Sequence, residues 1–161
     1  MPRHEKGFSL VELLIVVAII LVIAAIAIPS LIRSRIAANQ ASAIESLRVL
    51  GTSEVTYAAT FGGGYSTTLA ALGPVPSGAV ATPSAAGLID DLLASGFKSG
   101  YAFTYTPTLL DTTGRYNGFI ILANPTDVGV TGADFYYEDE THLIRMNVTA
   151  QAGSSDSCVA E

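Results

Sequence analysis

The sequence predicts an α+β fold in which a long N-terminal helix, apolar over its first half, packs on a small antiparallel sheet. An unbroken apolar run extends from Leu13 to Ile28, and an amphipathic helical pattern continues after it to Phe61. The last third of the chain is predicted to form strands, and residues 101–106 alternate aromatic and small residues at period two, which is typical of a strand. Because a helix stripe and a sheet face both need a partner to be buried, we expect the second half of the helix to cover the sheet.

The apolar segment is long enough to cross a bilayer. Residues 8–28 would form a helix about 32 Å long, compared with about 30 Å for the hydrocarbon core of a membrane. Arg3 and Lys6 precede the run, and Arg33 and Arg35 follow it. The positive charges are therefore balanced and do not indicate which end faces the cytoplasm.

Three interpretations of this segment compete. A removed signal peptide would use the Ala-Ile-Ala sequence at 25–27 as its cleavage site, and an ordinary anchor would simply remain in the membrane. In the third interpretation a short leader is clipped and the helix is kept to pack against copies of itself. Glu12 favours the third, because a charged group in hydrocarbon costs free energy and is usually there for function. The run also exceeds the roughly 7–15 apolar residues of a signal peptide.

Residues 7–14, Gly-Phe-Ser-Leu-Val-Glu-Leu-Leu, resemble the cleavage and methylation motif of type IV pilins and type II secretion pseudopilins. The resemblance includes the short charged leader ending in Gly7, the Phe8 that follows, and a glutamate four residues later. It implies that a prepilin peptidase cuts between Gly7 and Phe8 and that the new amine of Phe8 is N-methylated. The rest of the chain resembles the family only in architecture.

The resemblance also implies a division of the chain and a location. Residues 1–7 would be a cleaved leader, 8–29 a transmembrane and assembly helix, and 30–161 a globular pilin-like domain with a flexible C-terminal tail. The protein would span the inner membrane once, with its domain extracytoplasmic, before joining a periplasmic pseudopilus or an extracellular pilus. Cys158 is the only cysteine, so the chain lacks the C-terminal disulfide loop of many pilins.

Glu12 has a physical role that can be argued from its position. Cleavage after Gly7 would leave a positive amine on Phe8, and methylation keeps that charge. In a bundle of helices shifted along their axes, the Glu12 carboxylate of one subunit can meet the amine of its neighbour and fix the register. Two other interpretations stay open: Glu12 pairs with the amine of its own chain, or it is protonated and tolerated. The resemblance favours the role between subunits.

Pro29 follows the apolar run, and we expect a kink or a local break of the helix there. The resemblance implies that such a break lets the helix bend or unwind in a filament; a simple kink at the membrane edge is the competing interpretation. Three glycines at 62–64 are predicted to end the helix.

The remaining elements are shorter. The pattern predicts a second helix, three or four antiparallel strands with one hairpin turn, and a fraying polar tail. These are the helix at 85–95 capped by Ser84, the strands at 101–106, 116–123, 135–137 and 142–146, the turn at 138–141, and the tail from 151.

The sequence carries few residues in catalytic arrangements, and we predict no enzyme. His142 could form an acid–base pair with Asp139 or Glu140. The competing interpretation is that His142 is a surface histidine in a turn. The acidic residues Asp134, Glu138, Asp139 and Glu140 are weak candidates for calcium, which prefers oxygen ligands. Their spacing matches no calcium loop, so a solvated acidic turn is favoured and no cofactor is predicted.

The predicted function is that of a structural subunit, a pilin or major pseudopilin, which polymerises through its N-terminal helix. The resemblance implies four partners: further copies of the chain, prepilin peptidase, an inner-membrane assembly platform with its ATPase, and the lipid bilayer before assembly. A net charge of −6 gives no support for nucleic-acid binding. Whether the filament is a pilus or a secretion pseudopilus stays open. The alternative function is that of a membrane-anchored binding or adhesion module that does not polymerise.

Overall fold

The computed structural model describes residues 8–159, so the predicted leader and Gly7 lie outside the described residues. The chain divides into two compact units, Met1–Arg35 and Ile36–Glu161, and each is described by itself. One helix, α1, contributes residues to both units and spans Leu10–Phe61.

In the first unit, α1 is a helix with an apolar surface. By length and composition it can cross a membrane: its most apolar window of 18 residues has a mean hydropathy of 3.3, and none of that window is buried. The helix continues through Pro29, so the expected local break is wrong, whereas the expected kink stays a prediction. A proline removes only one backbone donor from the helix.

In the second unit, α1 buries one face and ends where the sequence predicts. The helix stops at Phe61, and Gly62, Gly63 and Gly64 follow with φ of 95°, 83° and 123°. These left-handed values carry little strain only for glycine, which explains the end of the helix at this point. The N–H of Gly63 donates to the carbonyl of Ala58 at 2.8 Å.

The second unit contains a six-stranded antiparallel sheet in which each strand pairs with the next along the chain. The strands are β1 (Phe97–Lys98), β2 (Tyr101–Leu110), β3 (Tyr116–Pro125), β4 (Phe135–Asp139), β5 (Arg145–Asn147) and β6 (Ser157–Cys158). Two short helices, α2 (Leu69–Leu72) and α3 (Asp91–Ala94), precede the sheet.

The core of this unit lies between α1 and the sheet. Leu47 and Leu50 of α1 are fully buried, as are Tyr101 of β2 and Phe119 and Ile121 of β3. All five belong to one hydrophobic cluster. The predicted packing of the long helix on a small antiparallel sheet is therefore confirmed.

The helix predicted over residues 85–95 is wrong in extent. The backbone N–H groups of residues 86–89 donate to carbonyl groups of residues 71–73, which holds this stretch out of a helix. Only α3 is helical, and Asp90 rather than Ser84 caps it: Oδ1 of Asp90 accepts from the N–H of Leu93 at 2.7 Å. The aspartate satisfies a donor that the helix itself cannot.

The turn predicted at 138–141 is also placed too early. Glu138 and Asp139 continue β4 and lie opposite Ile121 and Ile120 of β3. Pairing with β3 extends the strand through two acidic residues that local composition assigns to a turn. The consequence is that the side chain of Glu138 is buried.

The C-terminal tail does not fray as predicted. β6 pairs with β5, placing Cys158 opposite Arg145. Asp156 fixes the preceding loop, because its carboxylate accepts from the Asn147 amide at 3.2 Å and from the Gly153 N–H at 2.7 Å. Backbone pairing and one aspartate hold this segment, and Cys158 is a free, exposed thiol.

Candidate assembly site

The first turn of α1 is capped by the side chains of Ser9 and Glu12. The N–H of Ser9 donates to Oε2 of Glu12 at 2.9 Å, and Oγ of Ser9 accepts from the N–H of Val11 at 3.3 Å. This is a variant of the capping box, with the serine hydroxyl on the N–H of Val11 in place of that of Glu12, and it satisfies donors that have no partner inside the helix. The Ser-x-x-Glu spacing was a sequence signal for it that our reasoning about Glu12 missed.

Glu12 retains a second acceptor for a partner outside its own helix. Its Oε2 atom is used by Ser9, whereas its Oε1 atom makes no hydrogen bond to residues 8–159. A carboxylate is an acceptor at both oxygens, so the cap does not exhaust its capacity. The negative charge also lies at the positive end of the helix dipole. One glutamate can therefore cap its helix and accept a cation from elsewhere.

The apolar side chains beside this cap are uncovered in the isolated chain. Leu10 is 77% exposed and Leu21 is 64% exposed, and the other large apolar residues of the segment behave alike. Soluble monomers rarely expose apolar patches of more than a few hundred Å². This surface therefore requires lipid or other apolar helices around it.

The comparisons with known proteins agree with this geometry. The family described as the prokaryotic N-terminal methylation motif matches residues 2–28. The N-terminal segment carries this motif. The predicted resemblance to type IV pilins is thereby confirmed at the N-terminus, where both the cap and the apolar surface lie.

Two curated relatives each match part of the chain. The type IV major pilin protein PilA of Myxococcus xanthus is 45% identical over 56 residues, covering 35% of this chain and 25% of that protein. The type IV wide pilus major component PilA4 of Thermus thermophilus is 57% identical over 37 residues, covering 23% of this chain and 28% of that protein. The chain thus spans about a quarter of the length of each of these relatives. No solved structure matches the chain.

The remaining predicted site residues are placed as follows. Phe8 is exposed just before α1, and Pro29 lies inside the helix. The four acidic residues considered for calcium do not converge: within the described residues there is no group of three or more His, Cys, Asp or Glu that could hold a metal. Two of them are bonded elsewhere, Asp134 to the amide of Gln40 at 2.6 Å and Asp139 to the N–H of Thr141 at 2.9 Å.

A buried carboxylate that the sequence analysis did not single out secures the second unit. Glu54 of α1 is 0% exposed, and it accepts from both the N–H and the hydroxyl of Ser66, at 2.8 and 2.5 Å. The hydroxyl of Tyr105 in β2 donates to the Ser66 carbonyl at 2.8 Å. Burial raises the pKa of Glu54, while the hydrogen bonds from Ser66 act in the opposite direction. The glutamate joins α1 to the loop beyond the three glycines.

Gly51 of α1 lies close against the side chain of Glu138. A Cβ at this position would overlap Oε1 of Glu138 and crowd Nδ1 of His142. We expect Gly51→Ala to lower the free energy of unfolding by about 1–3 kcal/mol, because the buried carboxyl has to move. Urea unfolding of the full chain in detergent measures this. Gly153→Ala is the control, since its new Cβ meets open space, and equal stability of the two variants would contradict the tight contact.

Proposed function

We propose that this protein is a structural subunit of a type IV pilus-like filament and that it polymerises through α1. The observation that supports the proposal is that the methylation motif lies on an uninterrupted helix whose apolar surface is exposed. Both curated relatives are named as major components of pili, which supports a pilus over a secretion pseudopilus. The matches point to a structural protein and away from an enzyme.

Processing precedes assembly in this proposal. A prepilin peptidase cuts between Gly7 and Phe8, and the new amine of Phe8 is N-methylated and keeps its positive charge. Oε1 of Glu12, which has no hydrogen-bond partner among residues 8–159, accepts this amine from a neighbouring subunit, while Oε2 continues to cap α1. The capping box supports this role because it holds the carboxylate in place before the neighbour arrives.

Assembly moves the helix from one apolar environment to another. The processed subunit waits in the inner membrane as a single-pass protein with its domain extracytoplasmic, and a platform protein with a cytoplasmic ATPase extracts it. Lipid tails and neighbouring helices are similarly apolar, so the transfer gains little from the hydrophobic effect. Close packing and the Glu12 pair therefore set the register, and a head-to-tail contact that does not close gives a helical fibre.

Electron microscopy of surface fibres tests this function. The chain is expressed in cells that carry the assembly machinery, and sheared fibres are labelled with antibody against the second unit. We expect labelled filaments, and none from cells without prepilin peptidase. A chain found only as an anchored monomer in the complete cells would contradict polymerisation and favour an anchored binding module.

A further inference from the structure

Glu138 is a buried acid whose hydrogen-bonding capacity is not satisfied. Its side chain is 2% exposed, and its Oε2 atom has no hydrogen-bond partner among the described residues. Its Oε1 atom lies 3.6 Å from Nδ1 of His142, beyond the length of a hydrogen bond. Buried polar groups are normally paired, because desolvation without compensation is costly. An unpaired carboxyl at the interface of β4 with α1 therefore needs an explanation.

The surrounding backbone is shaped around this acid and its histidine. Gly51 leaves the space on α1 into which the Glu138 carboxyl and the His142 ring project. His142 adopts a left-handed φ of 58°, and its N–H donates to the Asp139 carbonyl at 2.9 Å. Its ring lies against Phe119 with 5.8 Å between ring centroids. The turn at 139–142 thus holds a half-exposed imidazole over the buried carboxyl.

Three charged or titratable groups face Glu138 from the elements around it. Arg48 of α1 lines the same groove as Glu138 and His142. Burial raises the pKa of Glu138 to about 8, with a smaller contribution from the neighbouring Asp139 and against the charge of Arg48. At neutral pH the carboxyl therefore keeps its proton beside the ring of His142.

We propose that Glu138 is a proton-operated latch, which keeps the turn at 139–142, with its His142, closed on α1 while the Glu138 carboxyl holds its proton. When that proton leaves, a carboxylate without a hydrogen-bond partner is trapped at the interface. Because the carboxyl is almost fully buried, it is hydrated more completely when the turn moves away from Gly51. The latch therefore opens as the pH rises.

The direction of the pH effect follows from the raised pKa of an acid. Glu138 titrates near 8 in the folded chain and near its ordinary value of 4.5 when unfolded. Its contribution to stability is complete below pH 4.5 and is lost progressively as the pH rises towards 8. Over this interval the folding equilibrium constant should fall by up to about tenfold per pH unit.

Hydrogen exchange of the full chain in detergent micelles tests the latch between pH 5.5 and 8.5. After correction for intrinsic exchange rates, we expect the amides of residues 139–146 to lose protection as the pH rises. Glu138→Gln has no acidic proton to release and should keep them protected at pH 8.5. Glu45→Gln is the control: it removes an exposed carboxylate from α1 and should show the same pH response as the original chain. Equal pH responses of Glu138→Gln and the original chain would overturn the proposal.

A second measurement needs no variant and keeps the test decisive if Glu138→Gln does not fold. The carboxyl carbon of Glu138, observed by NMR in the original chain labelled at glutamate, should report a protonated acid at pH 6 and titrate near pH 8. A signal that shows the carboxylate throughout this range would rule the latch out. Neither measurement depends on polymerisation.

Discussion

Glu12→Gln is expected to abolish fibre assembly while leaving the first turn of α1 intact. Glutamine still accepts the hydrogen bond from the N–H of Ser9, as the second position of a capping box allows. It cannot neutralise the amine of a neighbouring Phe8. An unpaired charge among apolar helices costs about 3–5 kcal/mol, which is enough to exclude the subunit from the fibre. The yield of sheared fibres per cell measures the effect.

Ser9→Ala is the matched control for the charge of Glu12. It removes the Oγ acceptor of Val11 but leaves the carboxylate, and a lost cap of this kind costs about 1 kcal/mol. Fibres should therefore form at near-normal yield. Normal fibre yield from Glu12→Gln would contradict the pairing between subunits. The capping role alone would then account for the glutamate.

Glu54→Ala should lower the free energy of unfolding by about 1–3 kcal/mol, because it leaves the buried N–H of Ser66 without an acceptor and leaves the Ser66 hydroxyl only the Thr68 carbonyl, at 3.2 Å. Urea unfolding of the full chain in detergent, followed by near-ultraviolet circular dichroism, measures the loss. Ser66→Ala and the double variant Glu54→Ala/Ser66→Ala complete a double-mutant cycle. The losses of stability in the two single variants should not add up in the double variant, because both residues belong to one hydrogen-bond network.

Glu45→Ala is the control for Glu54. Glu45 is exposed on the same helix and lies 3.8 Å from Arg48, so its loss should change stability by less than about 0.5 kcal/mol. A loss below 1 kcal/mol for Glu54→Ala would show that water or another acceptor takes the place of the Glu54 carboxylate. It would remove the assigned role of Glu54 in joining α1 to the following loop.

The features that the sequence predicted best are those governed by local chemistry. The apolar run, the three glycines that end α1 and the alternation at 101–106 in β2 each express one local preference, and the structure contains all three. The buried position of Glu54 also had a local signal. It falls between Leu50 and Tyr57 on the apolar stripe of the helix, at spacings of four and three residues.

The features that were missed depend on contacts between distant segments. Residues 86–89 leave the helical pattern because carbonyl groups of residues 71–73 accept their N–H groups. The burial of Glu138 depends on the missing side chain of Gly51, far away in sequence. The ordered tail depends on Asp156 and on pairing with β5. No local pattern encodes these three contacts.

Intact-mass spectrometry of the subunit from sheared fibres tests most directly whether α1 is retained and assembled. The account predicts a chain that begins at Phe8, carries one added methyl group and continues through the whole apolar segment. A subunit that begins at Ile28 would show that the apolar segment is a discarded signal peptide, and it would contradict assembly through α1.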